Sequence, residues 1–69
     1  MPLSMAKEDE EFLIKKISGN EEVRRFLENL GFVAGTKVSI VSKINGNVIV
    51  QVKDSRVAIS REMAQKIIV

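Results

Sequence analysis

The chain has 69 residues, 45% of them hydrophobic and 29% charged, which is typical of one small globular domain and argues against wholesale disorder. It contains no Cys and no His, which excludes a disulfide framework, a thiolate metal site and the most common general base. No apolar run approaches the roughly 20 residues that span a bilayer, and the first residues lack the features of a secretory signal, so we expect a cytoplasmic protein without membrane insertion.

The charge is unevenly distributed along the chain. The formal net charge is +2, and an acidic block occupies Glu8–Glu11. From Phe12 onward there are ten basic and five acidic residues, which gives this part of the chain a net charge of +5. This pattern is typical of an ordinary solvated surface, but it also suits a basic surface that meets an acidic protein, a nucleic acid or a membrane face. The chain has no Trp or Tyr on which bases could stack, so a nucleic-acid partner is the less favoured of these.

The N-terminal half predicts a short leading segment and a strand. We expect residues 1–9 to be a partly ordered segment, with Leu3 and Met5 packed on the body of a domain that covers residues 10–69. Residues 10–17 carry apolar side chains at both odd and even positions. The segment is short and is followed by the turn-forming residues Ser-Gly-Asn, which favours one strand over a helix.

The next segment has the period of a helix. Asn20 is a suitable N-cap because its side-chain oxygen can accept an otherwise unpaired amide hydrogen. Gly31 suits the left-handed position that ends a helix. Between them, four apolar residues recur at i, i+3, i+4 and i+7 and predict one buried stripe: Val23, Phe26, Leu27 and Leu30.

Alternating apolar residues then predict a β-hairpin around Asn45-Gly46. A two-residue loop would place Ile40 opposite Gln51 and mix apolar with polar residues across the ladder. A three-residue loop, Ile44–Gly46, places Ile40 opposite Val50. Because burial fixes strand register, we predict the three-residue type I turn with a bulge.

The last third predicts further short elements. Asp54-Ser55 forms a turn before a strand at Arg56–Ile59, Ser60 caps a helical turn over Arg61–Gln65, and Lys66–Val69 closes the chain as a strand. The sum is a mainly β protein with one inserted helix, a small SH3-like barrel of about five antiparallel strands whose helix closes one open end.

Groups that could perform chemistry are scarce. The Ser and Thr residues have no His to activate them, and they fit caps and turns. The acidic block Glu8–Glu11 is the only carboxylate cluster, and an exposed run near a terminus makes a weak, unselective cation site. We therefore assign no catalytic, cofactor-binding or metal-binding residue and predict that the chain is not an enzyme.

A resemblance to a family rests on several segments. Residues 30–41 read Leu-Gly-Phe-Val-Ala-Gly-Thr-Lys-Val-Ser-Ile-Val. This resembles the Leu-Gly-Phe-x-Pro-Gly-x-x-Val-x-Val signature of ferrous iron transport protein A, the FeoA family. Ile14–Gly19, Arg24–Leu27 and Val57–Val69 resemble its first strand, its Arg-Arg-x-Leu helix and its closing pattern. Ala34 departs from the family by replacing the usual Pro.

The resemblance implies an SH3-like, non-enzymatic accessory protein of ferrous iron uptake. Such a protein acts in the cytoplasm with a membrane iron permease that carries a G-protein domain. We predict five partner contacts on the outer face of the helix and at the hairpin tip: Arg24, Arg25, Lys43, Asn45 and Asn47. The alternatives are a basic barrel that binds nucleic acid and an iron-responsive regulatory module. Self-association through Phe32 and Val33 near the barrel rim is a further expectation.

Overall fold

The computed structural model describes all 69 residues, which form six strands and two α-helices. In chain order these are β1 (Glu11–Leu13), β2 (Lys16–Ile17), α1 (Glu21–Asn29), β3 (Lys37–Ile44), β4 (Asn47–Val52), β5 (Ser55–Ser60), α2 (Arg61–Ala64) and β6 (Ile67–Ile68). Neither helix has the length and apolar composition that crossing a membrane requires.

The strands form two antiparallel sheets that share one core. Four strands pair in the order β1-β3-β4-β5, and β2 pairs with β6. Alternate side chains of β3 and β4 point into the core and are at most 2% exposed: Val38, Ile40, Val48, Val50 and Val52. The predicted fold class, a mainly β SH3-like barrel with one inserted helix, is confirmed, and the strand count is six instead of five.

The additional strand arises because residues 10–17 cross from one sheet to the other. The Ile14 amide donates a hydrogen bond to the carbonyl oxygen of Thr36 over 3.0 Å, beside the four-stranded sheet. The next amide, that of Lys15, donates to the carbonyl oxygen of Ile68 over 2.7 Å, beside the two-stranded sheet. Ile14 is buried at this corner. The single predicted strand is therefore two short strands, β1 and β2.

Both predicted ends of α1 are confirmed. The Asn20 side chain accepts a hydrogen bond from the Val23 amide over 2.9 Å, which satisfies one unpaired donor of the first turn. Gly31 has a φ of +106°, and the Phe32 amide donates to the carbonyl oxygen of Leu27 over 3.0 Å. This is the 6→1 bond of a Schellman motif, which terminates the helix.

The buried stripe of α1 is narrower than predicted. Leu27 is fully buried and Val23 and Leu30 are half-buried, but Phe26 is 49% exposed, so its predicted core role is wrong. At about 100° per residue, Phe26 lies about 65° from the mean direction of the other three side chains, on the shoulder of the buried face. The aromatic ring that fills the core is that of Phe32, which is 0% exposed, so the expected place of Phe32 near the barrel surface is also wrong.

The hairpin register is confirmed, but its predicted turn is wrong. Near the core, Val38 lies opposite Val52 and Ile40 opposite Val50. The pairing shifts by one residue between Ile40 and Ser42, so that Val41 forms a bulge and Ile44 pairs with Asn47. Asn45 and Gly46 then form a two-residue turn with φ values of +47° and +82°, as a type I′ turn requires.

The remaining predicted elements are close to the observed ones. Val52 pairs with Ser55, so the second turn is Lys53-Asp54, one residue earlier than predicted. The Ser60 hydroxyl accepts a hydrogen bond from the Met63 amide over 3.1 Å and caps α2, as predicted.

The N-terminal segment packs against the body of the protein. Leu3, in a 3₁₀ turn over Leu3–Met5, is 0% exposed and Ala6 is buried, so the predicted packing of Leu3 is confirmed. The predicted packing of Met5 is wrong, because Met5 is 71% exposed. The Met1 amino group donates a hydrogen bond to the carbonyl oxygen of Val69 over 2.9 Å, and the Val69 amide donates back to that of Met1 over 2.8 Å. The first and last residues are therefore adjacent in space.

Candidate binding cleft at the hairpin tip

A shallow cleft of about 190 Å³ lies beside the tip of the β3–β4 hairpin. Three parts of the chain build it: the hairpin tip, the N-terminal 3₁₀ turn and the start of α2. Its lining is mostly polar and consists of Ser4, Lys43, Ile44, Asn45, Gly46, Asn47, Val48 and Arg61.

Two hydrogen bonds fix the hairpin tip to its neighbours. The Arg61 amide donates to the carbonyl oxygen of Gly46 over 2.9 Å, which joins the turn to α2. On the other side, the Lys43 ammonium donates to the carbonyl oxygen of Ser4 over 3.1 Å. The tip is thus tied to structure on both sides, and the side chains that it carries have a defined setting.

The cleft carries positive charge that the protein does not neutralise. No acidic residue is among its lining residues. The partner of the Lys43 ammonium is a neutral carbonyl, and the Arg61 guanidinium makes no hydrogen bond or ion pair within the chain. The Asn45 and Asn47 side chains are exposed and make no hydrogen bond to the protein. The cleft therefore presents two cations and two free amide groups.

The two arginines of α1 lie elsewhere. Both are exposed, and the Arg25 guanidinium forms an ion pair with Glu21 at 2.6 Å, as their i, i+4 spacing predicts. Both partners are more than two-thirds exposed, so this pair adds little stability. Arg24 and Glu28 have the same i, i+4 spacing but form no ion pair, which leaves Arg24 without an acidic partner.

The structure separates the five predicted contact residues into two groups. The C-terminal end of α1 lies beside the end of β4, since a Cβ placed on Gly31 would be 3.7 Å from a methyl carbon of Val52. Val52 is five residues along β4 from Asn47, about 17 Å at the usual rise per residue. Lys43, Asn45 and Asn47 are brought together at the cleft, and Arg24 and Arg25 are not part of it.

Two lining residues that are distant from the hairpin in the sequence are absent from the predicted contacts. Ser4 and Arg61 are 39 and 18 residues from Lys43 along the chain, and tertiary contacts alone bring them to the hairpin tip. No local sequence pattern predicts that these residues contact the hairpin tip, because Ser60 and Arg61 are equally well explained as the start of a helical turn.

The acidic residues are not gathered into a metal centre. No group of three or more Asp or Glu side chains is placed to hold a metal ion, and the chain has no His or Cys. The block Glu8–Glu11 is exposed along the surface.

The paired sheets, the capped helix and the cleft define a small SH3-like barrel with a cationic recess at the tip of one hairpin. Comparison with known proteins identifies the family within this class. The family model described as the FeoA domain matches residues 1–69, and the chain belongs to this family.

Individual relatives agree with this assignment. A candidate Fe(2+) transport protein A of Methanocaldococcus jannaschii is 40% identical over 68 residues, which cover 99% of this chain and 83% of that protein. The crystal structure of FeoA from Stenotrophomonas maltophilia complexed with zinc, described as a prokaryotic SH3 domain protein, has a TM-score of 0.86 and 27% identity, over 99% of this chain and 87% of that chain. The crystal structure of an iron uptake regulatory protein, also FeoA, has a TM-score of 0.89 and 22% identity, over 97% of this chain and 91% of that one.

Proposed function

We propose that this protein is a cytoplasmic accessory component of ferrous iron uptake that docks on the cytosolic G-protein domain of a membrane ferrous iron permease. The observation that carries the proposal is the 40% identity to a candidate Fe(2+) transport protein over 99% of the chain. The Stenotrophomonas maltophilia structure is described as that of a candidate activating factor for bacterial ferrous iron transport, which supports the same role.

The geometry favours binding over catalysis. The hairpin tip is fixed by hydrogen bonds on both sides and exposes Lys43, Asn45 and Asn47, while α1 exposes Arg24 and Arg25. Cationic and amide side chains on a rigid scaffold suit recognition of another protein, because little ordering is needed when the partner binds. The hydrogen bonds made by Ser and Thr hydroxyls are to backbone groups and not to a side chain that could act as a general base, so we propose that the protein acts on its partner without catalysing a reaction.

Binding of the purified G-protein domain of the permease tests the proposal. We expect saturable binding by calorimetry, and weaker binding for the double variants Arg24→Ala/Arg25→Ala and Lys43→Ala/Asn47→Ala. The matched control is Lys37→Ala, which removes an exposed charge at the opposite end of β3. Circular dichroism establishes that each variant is folded.

Three further results on the same samples would distinguish the proposal from its alternatives. Absence of binding between the folded wild-type protein and the G-protein domain would overturn the proposal. A shift of labelled nucleic acid that weakens steeply with salt would support a nucleic-acid-binding barrel instead. Heat released on anaerobic titration with ferrous ion, without binding to the G-protein domain, would support an iron-responsive module.

A further inference from the structure

We infer that the cleft at the hairpin tip binds a carboxylate, the Asp or Glu side chain of an extended acidic segment in the partner protein. This inference deepens the proposed function, because it assigns a chemistry to the partner's contact with the tip. It rests on the charge of the cleft, on the free donors that line it and on the way the tip is held.

The two cations of the cleft are suited to one carboxylate. The guanidinium of Arg61 has no partner in the protein and can donate two parallel hydrogen bonds to a carboxylate. The ammonium of Lys43 uses one of its three donors on the carbonyl oxygen of Ser4 and retains two. Because no acidic residue lines the cleft, an incoming carboxylate meets attraction from two cations without a competing anion.

The neutral lining residues favour a peptide over a nucleic acid as the source of the anion. The amides of Asn45 and Asn47 each offer a donor and an acceptor, the two groups that a peptide backbone requires. The lining contains no aromatic ring on which a base could stack, which a single-stranded nucleic acid would use. The volume of about 190 Å³ holds one or two side chains and is small for a larger ligand.

The cleft is already formed in the free protein. The turn is closed by the left-handed φ values of Asn45 and Gly46, and Gly46 is held to the first residue of α2. Lys43 is held at its ammonium group. The Lys43 ammonium and the backbone of Arg61 therefore stand near their binding positions before the ligand arrives, and the Arg61 side chain is the cationic group that must be ordered on binding.

A peptide titration followed by amide chemical shifts tests the inference. The probe is a capped peptide with alternating Glu and Ala residues, and its counterpart replaces every Glu by Gln. With ¹⁵N-labelled protein we expect the Glu peptide to shift the amides of residues 43–48 and Arg61, and the Gln peptide to leave them in place. Arg61→Gln and Lys43→Gln should each weaken binding about tenfold, the effect of losing one charge-assisted hydrogen bond.

The control variant is Arg56→Gln, which removes the same charge from an exposed site outside the cleft. Equal weakening by Arg56→Gln, or shifts spread over the whole basic surface, would overturn the inference, since either indicates unspecific attraction. Stronger binding of a single-stranded oligonucleotide of equal charge at the same amides would also overturn it.

The inference and the proposed function can fail separately. If the G-protein domain binds wild type and Arg61→Gln equally well, and the Glu peptide leaves the cleft amides unshifted, the cleft assignment fails while the docking function stands. If the Glu peptide binds at the cleft and the G-protein domain does not bind at all, the cleft assignment stands and the docking function fails.

Discussion

The amide of Phe32 donates a hydrogen bond to the carbonyl oxygen of Leu27 over 3.0 Å, and the side chains of both residues are 0% exposed. This bond and the burial of the two side chains join the end of α1 to the core, as the hydrophobic contact of a Schellman motif does. The orientation of α1, and with it the exposure of Arg24 and Arg25, depends on this junction.

Replacing Leu27 and replacing the neighbouring Phe26 should therefore have very different effects. Leu27→Ala leaves a cavity in the core and should lower the free energy of unfolding by about 2–5 kcal/mol. Phe26→Ala removes a side chain that is 49% exposed and should cost less than about 1 kcal/mol. Urea unfolding followed by circular dichroism measures both values. Similar losses in the two variants would contradict the burial pattern of α1.

The conformation of Gly31 predicts a second stability effect. At a φ of +106°, a Cβ is conformationally unfavourable, although it would make only ordinary contacts with Val52, at 3.7 and 3.9 Å. Gly31→Ala should therefore lower the free energy of unfolding by about 1–2 kcal/mol through backbone strain alone. Gly31→Asn serves as the comparison, and its loss should be smaller, since Asn tolerates left-handed backbone better. Equal thermal stability of wild type and Gly31→Ala would show that this helix end is not rigid.

The N-cap of α1 can be tested by removing one hydrogen-bond acceptor. Asn20→Ala deprives the Val23 amide of its partner and should lower the free energy of unfolding by about 1 kcal/mol. The control is Asn29→Ala at the last residue of α1, where Ala has the higher helix propensity and the stability should be unchanged or slightly raised. A loss at Asn29 as large as that at Asn20 would argue against a capping role for Asn20.

The bond between the Lys43 ammonium and the carbonyl oxygen of Ser4 predicts a link between the cleft and the N-terminal segment. Lys43→Met keeps the aliphatic stem and removes the donor, and should lower the free energy of unfolding by about 1 kcal/mol. Hydrogen exchange of the amides of residues 3–6 should become faster, because their tie to the hairpin is lost. Lys37→Met is the control, and faster exchange at residues 3–6 in both variants would show that the effect is not due to this bond.

The β-hairpin shows how far the sequence determines the structure. Burial of alternate valines fixed the register correctly near the core, where Ile40 lies opposite Val50. The extra residue is Val41, within β3, and does not lie in the turn as predicted. The tight Asn45-Gly46 turn and the core register are therefore both satisfied. The position of a bulge depends on packing across the sheet, which the residue pattern does not reveal.

The elements that were missed share a tertiary origin. The corner at Ile14 exists because successive amides bond to different sheets, and Phe26 is exposed because α1 buries only a narrow stripe. The cleft is a similar case. The hairpin tip was predicted from Asn45-Gly46, but Ser4 and Arg61 reach it through contacts between distant parts of the chain. Local capping and turn signals, by contrast, depend on neighbouring residues and could be read correctly at Asn20, Gly31 and Ser60.

The reciprocal hydrogen bonds between Met1 and Val69 allow the chain to be rearranged. A host protein could accept this domain as an insertion in one of its loops without distortion of either protein, because the first and last residues of the domain are adjacent. A circular permutant with its old ends joined by a short glycine linker and its new ends opened at Lys53-Asp54 should keep the same barrel. A fusion tag on such a permutant would be attached at Lys53-Asp54, at the other end of β4 from the cleft, instead of beside Ser4.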